Sequence, residues 1–168
     1  MNLEHEQGVV VRNLRPRDLE AVIDLDSRIL GRRRAEYFKV KLAQALSDTG
    51  IQISLAAELD SAFAGFLLAR VWYGEFGAMD KAAVLDTIGV HPGFRGRGVG
   101  KALLRQLRQN LQGLGIPHLR TEVGWDDQQL LSFFHDTGFR PAPRFCLDLD
   151  LEAARRADDR RAAAAMEP

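Results

Sequence analysis

The stretch from Ala82 to Leu111 constrains this chain more than any other. An apolar run closes on Val90-His91-Pro92, the glycine-rich turn Arg95-Gly96-Arg97-Gly98-Val99-Gly100 follows, and a helix-like run succeeds it. From Gly98 to about Leu111, Val99, Leu103, Leu104, Leu107 and Leu111 recur at helical spacing, with Arg105, Arg108 and Gln109 on the other side, the pattern of an amphipathic helix. Gly113, Gly115 and Pro117 end it, and His118 to Val123 reads as another strand. Strand, helix and strand in this order imply a parallel pair joined by a right-handed crossover.

The same stretch is a local anion site in a neutral protein. Residues 91 to 110 include Arg95, Arg97, Lys101, Arg105 and Arg108 and no Asp or Glu, while the formal net charge of the chain is +0. Glycines at 96, 98 and 100 permit left-handed backbone and close approach of a ligand, because no Cβ intervenes. The first amides of the following helix lack internal partners and its dipole favours an anion, so a phosphate fits. The plainer reading, a tight loop before a solvated basic face, stays open here. A Walker loop is excluded, since it needs glycine and Ser or Thr where this chain has Arg95 and Ala102. A dinucleotide turn begun at Gly96 puts Lys101 at its last glycine. The His91–Phe94 interlude also separates strand and turn too widely for it, although Glu122 lies at a distance that mimics the ribose acid.

Around this centre the rest reads as one domain, residues 1–151, with a charged, alanine-rich tail over 152–168 expected as a frayed or disordered helix. Val9-Val10-Val11 is a strand, Arg15-Pro16-Arg17-Asp18 opens a helix reaching Gly31, and a second helix runs from Ala35 to Leu46 and stops at Asp48-Thr49-Gly50. Ile51–Leu59 and Ala62–Trp72 flank Asp60-Ser61 as an antiparallel hairpin, a loop follows over 74–81, and Ala82–Val90 is the next strand. Trp125-Asp126-Asp127 caps a helix ended by Gly138, and Phe145–Leu151 alternates as a half-buried final strand that holds Cys146. One cysteine forms no internal disulfide, and no Cys/His cluster has zinc spacing, so no metal is expected. Without a basic-then-apolar start or a bilayer-length apolar run, a cytoplasmic protein with no membrane partner is expected. No extended basic face with interleaved aromatics speaks for nucleic acid.

Asp86-Thr87-Ile88-Gly89-Val90-His91-Pro92-Gly93-Phe94, followed by Arg95-x-x-Gly98-x-Gly100 and a helix, resembles the GNAT superfamily of N-acetyltransferases, and Phe133-Phe134-His135-Asp136-Thr137-Gly138-Phe139 resembles the ending of its last helix. The resemblance covers residues 8 to 151. It implies an α/β (α+β) GNAT fold: a mixed, mostly antiparallel sheet of about six or seven strands, a splayed parallel pair at its centre and helices on both faces. It implies acetyl-CoA as co-substrate. The main chain of Ile88, Gly89 and Val90 would then pair with the pantetheine arm, and Arg95, Gly96, Arg97, Gly98, Val99, Gly100 and Lys101 would surround the pyrophosphate. Asp127 stands where the family has an Asn, and Phe134 where it has the Tyr that protonates the departing thiolate, so that acid is missing. Tyr73 or His135 could stand in. Family members often dimerise.

Attack of an amine on a thioester requires a neutral amine held at the carbonyl carbon. Glu122, in a Thr-Glu-Val context similar to acetyltransferases of ribosomal protein N-termini, is the first candidate base, and Asp86 the second; a cross-strand salt bridge and a solvent-facing strand residue are the plain readings of such carboxylates. A lysine-like amine is neutral at pH 7 in about one molecule in 2,500, an α-amine about one in seven, so a weakly equipped site suits an α-amine. The expected acceptor is a primary amine, on a peptide or protein or on a small molecule. The alternative is an acyl-CoA-binding sensor without catalysis. Arg32-Arg33-Arg34 reads as a solvated connector or a recruiter of acidic substrate, and Trp72, Tyr73 and Phe76 as core or acceptor lining.

Overall fold

Apolar residues two apart along the strands, and three or four apart along the helices that precede and follow them, put one sheet between helices. The computed structural model describes residues 8–47, 52–75 and 78–164. The chain divides into two compact units, Met1–Thr137 and Gly138–Pro168. In the first, the elements are strand Val10–Asn13 (β1), helices Leu19–Leu30 (α1) and Ala35–Ser47 (α2), and strands Leu55–Leu59 (β2), Ala62–Glu75 (β3) and Ala78–Val90 (β4). Helix Val99–Gly113 (α3), strand His118–Arg120 (β5) and helix Gln128–Asp136 (α4) complete it.

The strands lie in the order β1-β2-β3-β4-β5, antiparallel except for the parallel β4–β5 pair. Phe66 and Leu68 of β3 and Ala56 of β2 pack with Val22, Ile23 and Leu25 of α1 and Phe38 and Leu42 of α2. On α3, Val99, Leu103, Leu104, Leu107 and Leu111 are buried. Each such Leu, Val or Phe stabilises the fold by about 1.5–3 kcal/mol relative to exposure. Gly65 of β3 marks where α3 crosses the sheet: a Cβ there would stand 2.9 Å from Val99 Cγ1 and 3.3 Å from Leu103 Cδ1. Among the described residues no helix is long and apolar enough to cross a membrane.

The β2–β3 hairpin turns on Asp60 (φ 53) and Ser61 (φ 61), both left-handed, as a two-residue turn matched to strand twist requires. Ser61 is an L-residue where glycine is at ease. Ser61→Gly is therefore expected to raise stability by about 0.5–1 kcal/mol, read as a higher urea midpoint at unchanged slope.

Several expectations need correcting. The sheet has five strands among the described residues, not six or seven, and because none of those residues forms a strand after β5 the parallel β4–β5 pair lies at the sheet's edge, not its centre. In the second unit, residues 139–150 form neither strand nor helix, and helix Leu151–Ala164 (α5) follows. Phe145 and Leu147 are 94% and 91% exposed, and Cys146 is exposed rather than buried. Alternation decides which faces a strand would show, yet it supplies no pairing partner; Pro141 and Pro143 lack donors, and Arg144 N–H folds back on Ala142 O at 2.8 Å. The loop expected over 74–81 is largely strand, because β3 and β4 pair out to Glu75 and Ala78. Strand β5 ends at Arg120 instead of Val123. The stop at 48–50, Phe76 and the Tyr73 side chain lie outside the described residues.

Candidate active site

Strand β4 leaves the sheet tied to its neighbour, with His91 N–H donating to Ala64 O at 2.8 Å. One tight turn, Pro92–Phe94, follows, in which His91 Nδ1 accepts from Gly93 N–H at 3.1 Å. Gly96 (φ 75) and Gly98 (φ 80) are then both left-handed, a conformation that costs other residues roughly 1–2 kcal/mol each. No atom lies within 4 Å of a Cβ built on Gly96, so conformation alone calls for glycine there. Gly98 is the N-cap of α3, and its carbonyl accepts the helix's first bond, from Ala102 N–H at 2.9 Å. Arg97 N–H is taken by Phe94 O at 3.3 Å, whereas the amides of Val99, Gly100 and Lys101 belong to the helix's first turn, which carries the positive end of a 15-residue helix dipole. Left-handed residues beside such a turn make a concavity of N–H groups suited to an anion.

The three glycines are not equivalent. A Cβ on Gly100 would meet the Phe133 ring of α4 at 3.1 and 3.2 Å, so this position is kept bare by helix packing. Of the nearby cations, Arg97 reaches Asp60 Oδ2 in the β2–β3 turn at 3.1 Å and lies 5.6 Å over the Phe94 ring.

Beside the turn the sheet forks. β4 and β5 pair only over Ala82–Val84 and His118–Arg120, after which Thr121 Oγ1 donates to Leu85 O at 2.9 Å. Past that point Thr87 to Val90 keep their β3 partners, Leu68 to Gly65, but have no strand on the other edge among the described residues. The main chain of Ile88, Gly89 and Val90 is thus bordered on one side only. Gly89 is bare for a packing reason as well: a Cβ there would lie 2.9 Å from the Phe66 ring and 3.1 Å from Leu25.

At the fork β4 carries one residue more than β3. Leu68 faces Thr87 and Ala69 faces Leu85, which leaves Asp86 as a bulge. Its carboxylate, 16% exposed, accepts from Arg70 Nε at 2.9 and 3.2 Å, and the Arg70 guanidinium lies 4.6 Å over the Trp72 ring. Asp86, Leu68 and Arg70 line a cavity of about 120 Å³ together with Lys41, Gln44 and Ala45 of α2. Glu122 is exposed and lies two residues past the end of β5. The two carboxylates are differently employed: Asp86 has a cation, and Glu122 faces solvent.

Asp127 caps α4, accepting from Leu130 N–H at 3.0 Å, which matches the plain reading of this position. Phe134 is buried, its ring 5.4 Å from that of Phe133. Arg33 pairs with Glu20 and Asp24, and Arg34 pairs with Asp26 and stacks 4.7 Å over Tyr37, so this run braces α1 and α2. Those partners hold the Arg34 guanidinium above its ordinary range, the hydrogen bond to Asp26 outweighing burial.

Sequence reasoning missed Arg70 and Lys41, and it placed Phe133 on its helix without its contact to Gly100. Counting from Leu67 opposite Ile88 in unbroken register sets Asp86 against Ala69, so the bulge hid its partner. Alternation of Arg70 with Phe66 and Leu68 on β3 was the signal that a cation faced α2.

Comparisons with known proteins agree with this geometry. A family model described as "Acetyltransferase (GNAT) family" matches residues 19–139. Among solved structures, an aminoglycoside N-acetyltransferase, AAC(6')-Iy, in complex with CoA is similar with TM-score 0.72 and 19% identity, over 85% of this chain and 95% of that one. A ribosomal-protein-alanine N-acetyltransferase from Brucella melitensis biovar Abortus 2308 gives 0.67 and 20%, over 85% and 99%. A transcriptional regulator from Bacillus halodurans C-125 gives 0.71 and 18%, over 85% and 99%. At such identities these likenesses show the fold.

Proposed function

We propose, because this chain belongs to the GNAT acetyltransferase family and is an acyltransferase, that it moves an acetyl group from acetyl-CoA to a primary amine by direct attack. The observation that carries the reading is the open β4 edge running into a left-handed glycine turn and a helix N-terminus. The residues fit the co-substrate. The unpaired edge of Ile88, Gly89 and Val90 suits the amide-bearing pantetheine arm. The amides from Gly96 through Val99 and Gly100 to Lys101 suit the pyrophosphate, with Arg95, Arg97 and Lys101 adding attraction at longer range. Bound acetyl-CoA would supply the activated acyl group and depart as the thiol.

The chain's own task is to hold the amine and take its proton. As the new C–N bond forms and the C–S bond breaks, that proton must leave the nitrogen. Glu122, exposed beside the fork and without an ion-pair partner among the described residues, is the proposed base, acting directly or through one water. Asp86 is the weaker candidate, since Arg70 already occupies its oxygens. Phe134 has no proton to give, and a thiol of pKa about 8.5 leaves tolerably as thiolate, so slower turnover rather than inactivity is expected. Asp127 supports the site through the α4 N-terminus that it caps.

Glu122→Gln is expected to lower kcat/KM about 10²-fold, most strongly below pH 8 where the amine is protonated. Thiol release measured across pH with peptide and small-molecule amines checks this. An unchanged profile would shift the role to Asp86 or to solvent. A second reading, an acyl-CoA sensor, follows from the missing acid at Phe134; acetyl-CoA binding without turnover on any acceptor would favour it.

A further inference from the structure

The cavity between α2 and the β4 bulge has a charge pattern that selects among amines. Its charged side chains are Lys41, Arg70 and Asp86, two cations and one carboxylate. Arg70 and Asp86 face each other, whereas Lys41 has no ion-pair partner among the described residues. The volume of about 120 Å³ is that of roughly four waters, room for a short carbon chain with its end groups. The cavity reaches β3 through Leu68 and Arg70 and β4 through Asp86, the bulged residue at which the open edge begins.

We propose that this cavity receives the far end of the acceptor and that it selects primary amines bearing an anionic group, a carboxylate or phosphate, a few bonds from the nitrogen. This rests on the acyl-transfer reading above. A neutral far end would leave the Lys41 charge uncompensated, while an anion pairs with it and accepts from the terminal N–H groups of Arg70, whose Nε alone serves Asp86. A polycationic acceptor of the aminoglycoside kind would bring ammonium groups against two fixed cations and only one carboxylate, already paired. Like charges so close disfavour binding strongly in a half-buried site. The chain thus shares its fold with aminoglycoside acetyltransferases and carries a lining of the wrong sign for their substrate.

The test uses three acceptors of equal carbon length, β-alanine, propylamine and propane diamine, with the full chain and acetyl-CoA. Expected kcat/KM is at least tenfold higher for β-alanine than for propylamine, with the diamine lowest. Lys41→Glu, on a half-buried position of α2, is expected to lower β-alanine turnover at least tenfold and raise that of the diamine. Capped alanyl-aspartyl and alanyl-lysyl dipeptides separate sources: an acid preference confined to them supports the same charge rule with the anion on a peptide. Quenching of Trp72, which stacks under Arg70, reports occupancy without turnover in a Trp125→Phe background. A diamine preference, or a ranking that Lys41→Glu leaves unchanged, overturns the proposal. So does bound acetyl-CoA with neither turnover nor quenching, which spares the cofactor reading. Failure of acetyl-CoA to bind in calorimetry would instead bring down the acyl-transfer reading, and this proposal with it.

Discussion

Gly98→Val is expected to weaken CoA binding at least a hundredfold while costing the fold only about 1–2 kcal/mol. The residue sits at φ 80 as the N-cap of α3, so a β-branched side chain strains the very peptide that turns the amides outward. The strain is local, and the core below α3 is untouched. Calorimetry for affinity and thermal unfolding for stability separate the two effects; retained affinity would remove the turn from the proposed cofactor site. Gly100 is the wrong place for this experiment. A side chain there pushes on the Phe133 ring and disturbs α4 before it meets any ligand.

Gly65→Val is expected to do the opposite, destabilising by about 3 kcal/mol or more and abolishing activity only as a consequence. Its Cβ would stand 2.9 Å from the Gly89 carbonyl oxygen and 2.9 Å from Val99 Cγ1. A backbone oxygen cannot swing aside as a side chain can, so α3 must lift from the sheet or β3 must part from β4. Overpacking of this kind costs about 1–3 kcal/mol where side chains can yield, and more where they cannot. Urea unfolding measures it. Because α3 and the open β4 edge both border the position, any folded remainder should also bind CoA poorly.

These two glycines show how far the sequence could be read. Gly98 was legible, since glycines ahead of an amphipathic helix have a short list of physical uses, and the apolar periods of α1, α3 and α4 put helices where they are. The fork was legible as an order of elements. Its end was not: Thr121 and Val123 suit a strand as well as Thr87 and Val90 do, and only the departure of the chain toward Asp126 and Asp127 stops the pairing at Arg120. Gly65, and the packing of Gly89 against Phe66 and Leu25, were silent in sequence, because closeness between elements that are far apart along the chain leaves no local mark. The exposed run at Phe145 and Leu147 erred in the other direction, a clear period with no partner to answer it. Asp86 was found as a candidate base and its counter-ion was not, since a single extra residue in β4 resets every pairing beyond it.

The last tie between the parting strands is a side-chain hydroxyl, Thr121 Oγ1 on Leu85 O, where a main-chain amide would have continued the ladder. A ladder rung belongs to every residue type but proline, whereas this one needs a side-chain hydroxyl. The depth of the cleft is therefore written into one codon instead of into the architecture. A residue there that cannot donate is expected to let the fork open deeper, with the sheet on either side left as it stands.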